Sequence, residues 1–148
     1  MAATGEPQDP EERLKQQLQE GRTLEEVDEM TPGYRKVLSE TIKIAADLET
    51  IVLTNYYGAF INAPDIEGKI QAATAIHDEM GHAVLQHDAI DDLIEDHDIQ
   101  EFVMNRDPEE WGTFYLLEFK LEDWYDFAIL QCIGDRAGRK TTVDLEEH

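Results

Sequence analysis

The sequence predicts an all-α protein. Apolar residues recur at helical spacing through most of its 148 residues, and no run alternates between apolar and polar positions as a strand would. Prolines and glycines divide this pattern into a few long segments. Hydrophobic residues make up 41% of the chain, which is enough for a packed core and excludes disorder over the whole length.

Residues 1–30 are predicted to form short helices. Pro10 and the two acids after it are typical of a first helical turn, where proline has no unpaired amide and acids face the positive end of the helix dipole. Thr23 and Glu26 have the spacing of a capping box. They predict a second short segment that ends before Pro32.

Two long helices joined by a tight turn are predicted next. The first runs from about Tyr34 to Tyr57, the turn surrounds Pro64, and the second runs from about Asp65 to Glu95. The apolar stripes that predict their buried sides are Leu38, Ile42, Ala45, Ala46, Val52, Leu53 and Tyr56 on the first helix, and Ile70, Ala73, Ile76, Ala83, Ile90 and Leu93 on the second.

The last third of the chain is predicted to be a polar connection followed by more helix. The connection spans residues 96–106, and Asp107-Pro108 then forms a helix start ahead of a run of aromatic residues. A third substantial helix is expected over about residues 121–137, with Trp124, Ala128 and Cys132 on one face. This divides the chain into short helices at 1–30, a partial helical domain at 31–140 and a polar tail at 141–148.

The chain is strongly acidic, with 34 Asp and Glu against 12 Lys and Arg and a formal net charge of −22. Such a surface repels nucleic acids and anionic membranes. Because the acids are spread along the chain, we expect a high-salt environment rather than a basic partner. The sequence contains neither a long apolar span nor a signal-peptide pattern, and its single cysteine fits a reducing compartment. We therefore expect a cytoplasmic location.

Several carboxylates occupy helix faces that should be buried. Glu49 lies among the apolar residues of the first long helix, Glu79 and His82 continue the stripe of the second, and Asp135 follows Cys132 on the third. A buried carboxylate is unfavourable unless it is paired or bound to a metal ion. Several of them on facing helices indicate a shared ligand.

The spacing of these residues points to a metal site. Pro64 lies midway between Glu49 and Glu79, so an antiparallel hairpin places both at the same height, about 20 Å from the turn. A glutamate on one helix and Glu-x-x-His on its neighbour is half of the four-helix di-iron carboxylate pattern. Two alternatives stay open, because Glu-x-x-His arises easily by chance in so acidic a chain and a rotated helix would expose Glu79.

Other polar and aromatic residues have simpler interpretations. Cys132 is expected to be a small core residue. The remaining histidines on or after the second helix are interpreted as solvated; they are His77, His87 and His97. Five aromatic residues are interpreted as core residues, some of which could line a pocket for an aromatic substrate; they are Tyr56, Tyr57, Phe60, Trp111 and Trp124.

The same residues resemble a known family. They are similar to the N-terminal half of the catalytic A subunit of ring-1,2-phenylacetyl-CoA epoxidase, also called phenylacetate-CoA oxygenase. The motifs that carry the resemblance between residues 30 and 138 are, in order, MTPGYRK at 30–36, Glu49, the Ala63-Pro64 turn, DEMGH at 78–82, and WYD at 124–126 with Asp135.

The resemblance implies a ferritin-like helical bundle with a di-iron centre. It implies that Glu49, Glu79, His82 and Asp135 are iron ligands and catalytic residues. The centre would activate O2 and insert one oxygen atom into the aromatic ring of phenylacetyl-CoA or a related aryl-CoA. A separate reductase and a structural ferritin-like subunit are the implied partners.

In one respect the sequence departs from that family. The family's second Glu-x-x-His lies on a fourth core helix, which we do not find before His148. We therefore expect an incomplete bundle that supplies half of the di-iron site, and an oligomer in which another chain supplies the rest. Three alternatives remain open: a non-catalytic structural subunit, an inactive truncated homologue, and a small iron-storage or oxidase protein completed by homodimerisation.

Overall fold

The computed structural model describes residues 9–94, 98–112 and 121–146. Across those ranges the chain is helical and contains no strand, which confirms the predicted all-α class. The α-helices there are α1 (Pro10–Gln19), α2 (Pro32–Asn62), α3 (Ile66–Leu93), α4 (Ile99–Met104) and α5 (Trp124–Glu146), with short 3₁₀ turns at Val27–Glu29 and Pro108–Glu110.

Helix α1 begins where the sequence predicts and is tied to the start of α2. The Asp9 carboxylate caps its first turn by accepting from the amide of Glu11. The Glu11 carboxylate in turn accepts from the Thr31 hydroxyl and, at 2.9 Å, from the amide of Gly33. A Cβ on Gly33 would lie 2.7 Å from that carboxylate, so the Glu11 side chain would have to shift to admit any larger residue there.

The capping box predicted between Thr23 and Glu26 is wrong by one turn. Glu26 and Glu29 form the box around the 3₁₀ turn Val27–Glu29. Glu29 also accepts from the side chain of Arg22 at 2.7 Å. Arg22 is thus a further partner of the carboxylate that closes the box.

Helices α2 and α3 form a long hairpin around the predicted turn. Helix α2 continues through Gly58 to Asn62, several residues beyond its predicted end. The Asp65 carboxylate caps α3 by accepting from the amide of Gly68 at 2.8 Å. Gly68 also allows a close approach, because a Cβ there would lie 3.3 Å from the ring of Trp124.

The apolar stripe predicted for α3 is partly wrong. Ile70 is 60% exposed and Ala73 is also exposed. The residues that α3 buries are instead Gly68, Ala72, Glu79, Ala83, His87, Ile90 and Leu93. Helix α3 carries apolar residues on more than one face, and close packing on α2 selects the face with small residues and partnered polar ones.

Helix α5 packs on the hairpin near its turn and completes the apolar core. Phe127 is buried against Tyr56, with ring centroids 5.1 Å apart in an edge-to-face arrangement. The core cluster contains Val52, Tyr56, Ala59, Ala72 and Phe127. Cys132 is exposed, so its predicted core position is wrong. Since Phe127 is the residue that faces the hairpin, Cys132 is turned toward solvent.

A buried ion pair joins the polar connection to α2. Asp47 on α2 is 1% exposed and accepts from the guanidinium of Arg106 and, at 2.7 Å, from the amide of Gly112. The guanidinium also stacks on Phe102 and Trp111, at 3.7 and 4.1 Å from the ring centroids. The connection therefore contains α4 and a specific anchor, where the sequence predicted neither.

Two expectations reach beyond the described residues. The helix predicted to follow Pro108 begins as a short 3₁₀ turn, and residues 113–120 lie outside the described ranges. Helix α5 continues to Glu146, through most of the segment assigned as a polar tail.

None of the helices in the described ranges combines the length and the apolar character that a bilayer-spanning helix needs.

Candidate metal centre

Three of the four predicted site residues come together inside the hairpin. One carboxylate oxygen of Glu49, one of Glu79 and one ring nitrogen of His82 all lie within 4.8 Å of one another. Helix α2 supplies the first residue and α3 the other two, at the height expected from their spacing about Pro64. The geometry of this cluster matches the expectation, and its role as a metal site stays a prediction.

Burial differs across the cluster. Glu79 is 8% exposed, whereas the side chain of His82 is 57% exposed and Glu49 is half-buried. The structure thus places Glu79 on the buried face of α3, which excludes the alternative of a rotated helix that exposes it. The cluster is closed on the Glu79 side and open to solvent on the His82 side.

Both oxygens of the Glu79 carboxylate have partners within the chain. Oε1 accepts from the Tyr56 hydroxyl at 3.2 Å, and Oε2 lies 3.1 Å from Nδ1 of His82. In the tautomer that carries its proton on Nδ1, the imidazole donates to this oxygen. The Tyr56 hydroxyl also contacts the side-chain amide of Gln131 on α5.

The donor set fits a transition-metal ion. Carboxylate oxygens and a neutral imidazole nitrogen are ligands that iron accepts, and a buried carboxylate favours a nearby cation. Two ligand atoms at about 2.1 Å from a shared ion are at most about 4.2 Å apart. The atoms of this cluster are within 4.8 Å of one another, so small side-chain rotations would close the site.

The fourth predicted ligand, Asp135, lies on α5 one turn after Gln131. Its side chain is outside the described part of the structure, so its assignment stays a prediction.

The predictions for the remaining histidines had mixed outcomes. His77 is exposed as expected, and His97 lies outside the described residues. His87 was expected to be solvated and is instead 2% exposed, with its ring 5.2 Å from that of Phe102 in an edge-to-face contact. Helix α4 carries Phe102, and this contact buries His87. The spacing of His87 from Glu79 and Ala83 on α3 was a signal for its burial.

The contact between Tyr56 and Glu79 was not predicted. Tyr56 was expected to be a core aromatic, and its ring is buried. Its sequence signal was the seven-residue spacing from Glu49, which places both on one face of α2. Helical side chains lean toward the N-terminus of their helix, so the hydroxyl of Tyr56 reaches toward the cluster.

These observations define the class of protein. An α-helical bundle whose antiparallel hairpin brings carboxylates and an imidazole together in its interior is ferritin-like. The family model described as phenylacetic acid catabolic protein matches residues 8–148, and the chain belongs to that family. This confirms the family resemblance seen in the sequence, while the assignment to the catalytic subunit stays a prediction. Neither a curated protein nor a solved structure matches the chain significantly.

Proposed function

We propose that the chain is a component of a multicomponent di-iron monooxygenase acting on the aromatic ring of phenylacetyl-CoA or a related aryl-CoA. Membership of the phenylacetic acid catabolic family supports the substrate class. The observation that carries the proposal is the convergence of Glu49, Glu79 and His82 within the hairpin. On this proposal the chain works in the cytoplasm, in an oligomer with a reductase and a structural ferritin-like subunit.

The residues of the cluster would hold iron through complementary chemistry. The carboxylates of Glu49 and Glu79 would offset the charge of the ion, and the neutral nitrogen of His82 would complete this half of the site. Asp135 would add a ligand from α5. When bound, iron supplies the redox chemistry that activates O2 for transfer to the ring.

The two sides of the cluster differ in their access to solvent. Tyr56, which contacts Glu79, packs against Phe127, and this packing excludes water from the Glu79 side of the cluster. The exposed edge of His82 leaves the other side accessible. On our proposal, ions, substrate and the partner subunits approach from this open side.

Iron binding by site variants tests the proposal. We expect the wild-type chain to bind ferrous iron under anaerobic conditions and Glu79→Ala and His82→Ala to lose most of it, because each change removes a ligand. Iron content per chain is measured by elemental analysis, with molar mass in solution to test the expected oligomer. His77→Ala is the matched control, since His77 is an exposed histidine on the same helix. Equal iron content in all four proteins would contradict the proposal.

A specific observation favours a second function, that of a metal-free structural subunit. Both Glu79 oxygens have hydrogen-bonding partners within the chain, so the carboxylate is satisfied without an ion. A scaffold of this kind would bind no iron and would still associate with a catalytic subunit. Iron content and molar mass decide between the two functions. Wild-type protein that contains no iron but is associated with partner chains supports the scaffold.

A further inference from the structure

We propose that Tyr56 is a positioning residue that orients Glu79 for metal binding and links it to α5 through Gln131. This inference rests on the proposed metal role of the cluster. It is carried by one continuous set of contacts, which runs from His82 through Glu79 and Tyr56 to Gln131.

The two oxygens of the Glu79 carboxylate have different partners. The Tyr56 hydroxyl donates to Oε1, while Oε2 faces the imidazole of His82. A carboxylate held by one oxygen cannot turn freely about its terminal bond. The phenol therefore leaves Oε2, on the His82 side of the carboxylate, as the oxygen that would hold a metal ion.

The phenol ring of Tyr56 is held in place by the aromatic residues of the core. The Tyr56 ring is buried and meets Phe127 edge to face at 85°. Phe127 is itself packed against Trp124, with ring centroids 5.0 Å apart. Rotation of the Tyr56 ring would disrupt this packing, so the core determines where the hydroxyl lies.

Helix α5 contacts the Tyr56 hydroxyl through Gln131. The hydroxyl has a single proton and two neighbouring acceptor groups, Glu79 and the Gln131 amide. In the structure the hydroxyl faces Oε1 of Gln131. With that amide flipped so that its NH2 group faces the phenol, Gln131 donates to Tyr56 and Tyr56 donates to Glu79. The orientation of the carboxylate on α3 then depends on how α5 is docked.

A buried tyrosine hydroxyl normally finds a hydrogen-bond partner, so the presence of a partner carries no information by itself. The identity of the partner is the informative observation. The hydroxyl meets the most buried carboxylate of the ligand cluster, at the oxygen that faces away from the other ligand from α3. Residues that orient metal ligands in this way contribute about 10- to 100-fold to metal affinity.

Tyr56→Phe tests the inference, because it removes only the hydroxyl and keeps the packing ring. We expect its affinity for ferrous iron or Co²⁺ to fall by about 10- to 100-fold and the absorption spectrum of bound Co²⁺ to change. Tyr57→Phe is the matched control, since Tyr57 is the adjacent tyrosine and is 63% exposed, so its predicted core position is wrong. We expect that control to bind with wild-type affinity.

Hydrogen exchange provides a readout that a purely structural tyrosine would not alter. In the wild type, metal binding should slow amide exchange in α5 around Gln131. Tyr56→Phe and Gln131→Ala, each checked for helical content, should both lose this metal-dependent protection. Gln131→Ala also keeps the inference testable if the change at Tyr56 prevents folding.

The outcomes separate this inference from the proposed function. Metal binding that requires Glu79 but is unchanged in Tyr56→Phe overturns the positioning role alone. Metal binding by the wild type that is unchanged in Glu79→Ala, or no binding at all, overturns both. Weakened binding in Tyr56→Phe with wild-type binding in Tyr57→Phe supports both.

Discussion

Asp47 and Glu79 are both buried carboxylates, but their partners differ in charge. Asp47 is paired with the permanently charged Arg106 and with a backbone amide. Glu79 contacts a phenol and an imidazole, neither of which has a permanent positive charge. The charge of Asp47 is therefore compensated within the fold, whereas a bound cation would complete the compensation at Glu79.

This contrast predicts that the Asp47 carboxylate stabilises the folded state. Asp47→Ala leaves the guanidinium of Arg106 buried without its partner, so we expect the free energy of unfolding to fall by about 3–5 kcal/mol. Urea denaturation measures the change. The control is Arg22→Ala, which breaks an exposed ion pair with Glu29 and should lower the free energy of unfolding far less. An equal decrease in the free energy of unfolding in the two variants would contradict a structural role for the buried ion pair.

The 3₁₀ turn at Val27–Glu29, which precedes α2, is expected to be sensitive to pH. The backbone amide of Glu25, the side chain of Arg22 and the backbone amide of Glu26 donate to the Glu29 carboxylate and lower its pKa. A carboxyl group with a lowered pKa in the folded state stabilises that state above its ordinary pKa, and the effect is lost as the pH falls through the lowered value.

We therefore expect the 3₁₀ turn at Val27–Glu29 to loosen only in acid, below the ordinary glutamate pKa of about 4.3. The amide chemical shifts of Glu25 and Glu26 report the titration of Glu29. Arg22→Ala should move the midpoint upward, because it removes one donor, while Lys15→Ala on α1 should leave it unchanged. A wild-type midpoint at the ordinary glutamate value would refute this account of the turn.

At the scale of the whole molecule, the net charge of −22 is the dominant feature. Self-repulsion between like charges destabilises a compact state, and salt screens it over about 10 Å at 0.1 M. We expect the melting temperature to rise as KCl is increased from about 0.1 to 1 M, where the Debye length falls to about 3 Å. A neutral osmolyte at equal osmolality is the control, and an equal rise with both solutes would sink the electrostatic explanation.

The hairpin and the cluster of Glu49, Glu79 and His82 could be expected from sequence because a helix has a fixed rise per residue. Equal spacing from Pro64 places two residues at equal heights on antiparallel helices, whatever the rest of the chain does. The starts of α1 and α2 near Pro10 and Pro32 and the core position of Tyr56 followed from equally local rules. Local chemistry was therefore sufficient for the class of fold and for the height of the site.

Tertiary structure decided the features that depend on rotation about a helix axis and on distant partners. Helix α3 has apolar residues on several faces, so packing on α2 was needed to leave Ile70 exposed, and contact with Phe102 of α4 to bury His87. Asp47 and Arg106 are far apart in sequence, and only the folded chain brings them together. The contact of Tyr56 with Glu79 and Gln131 likewise joins three helices. Sequence periodicity specifies positions along a helix, whereas the packing of several helices specifies which side chains meet.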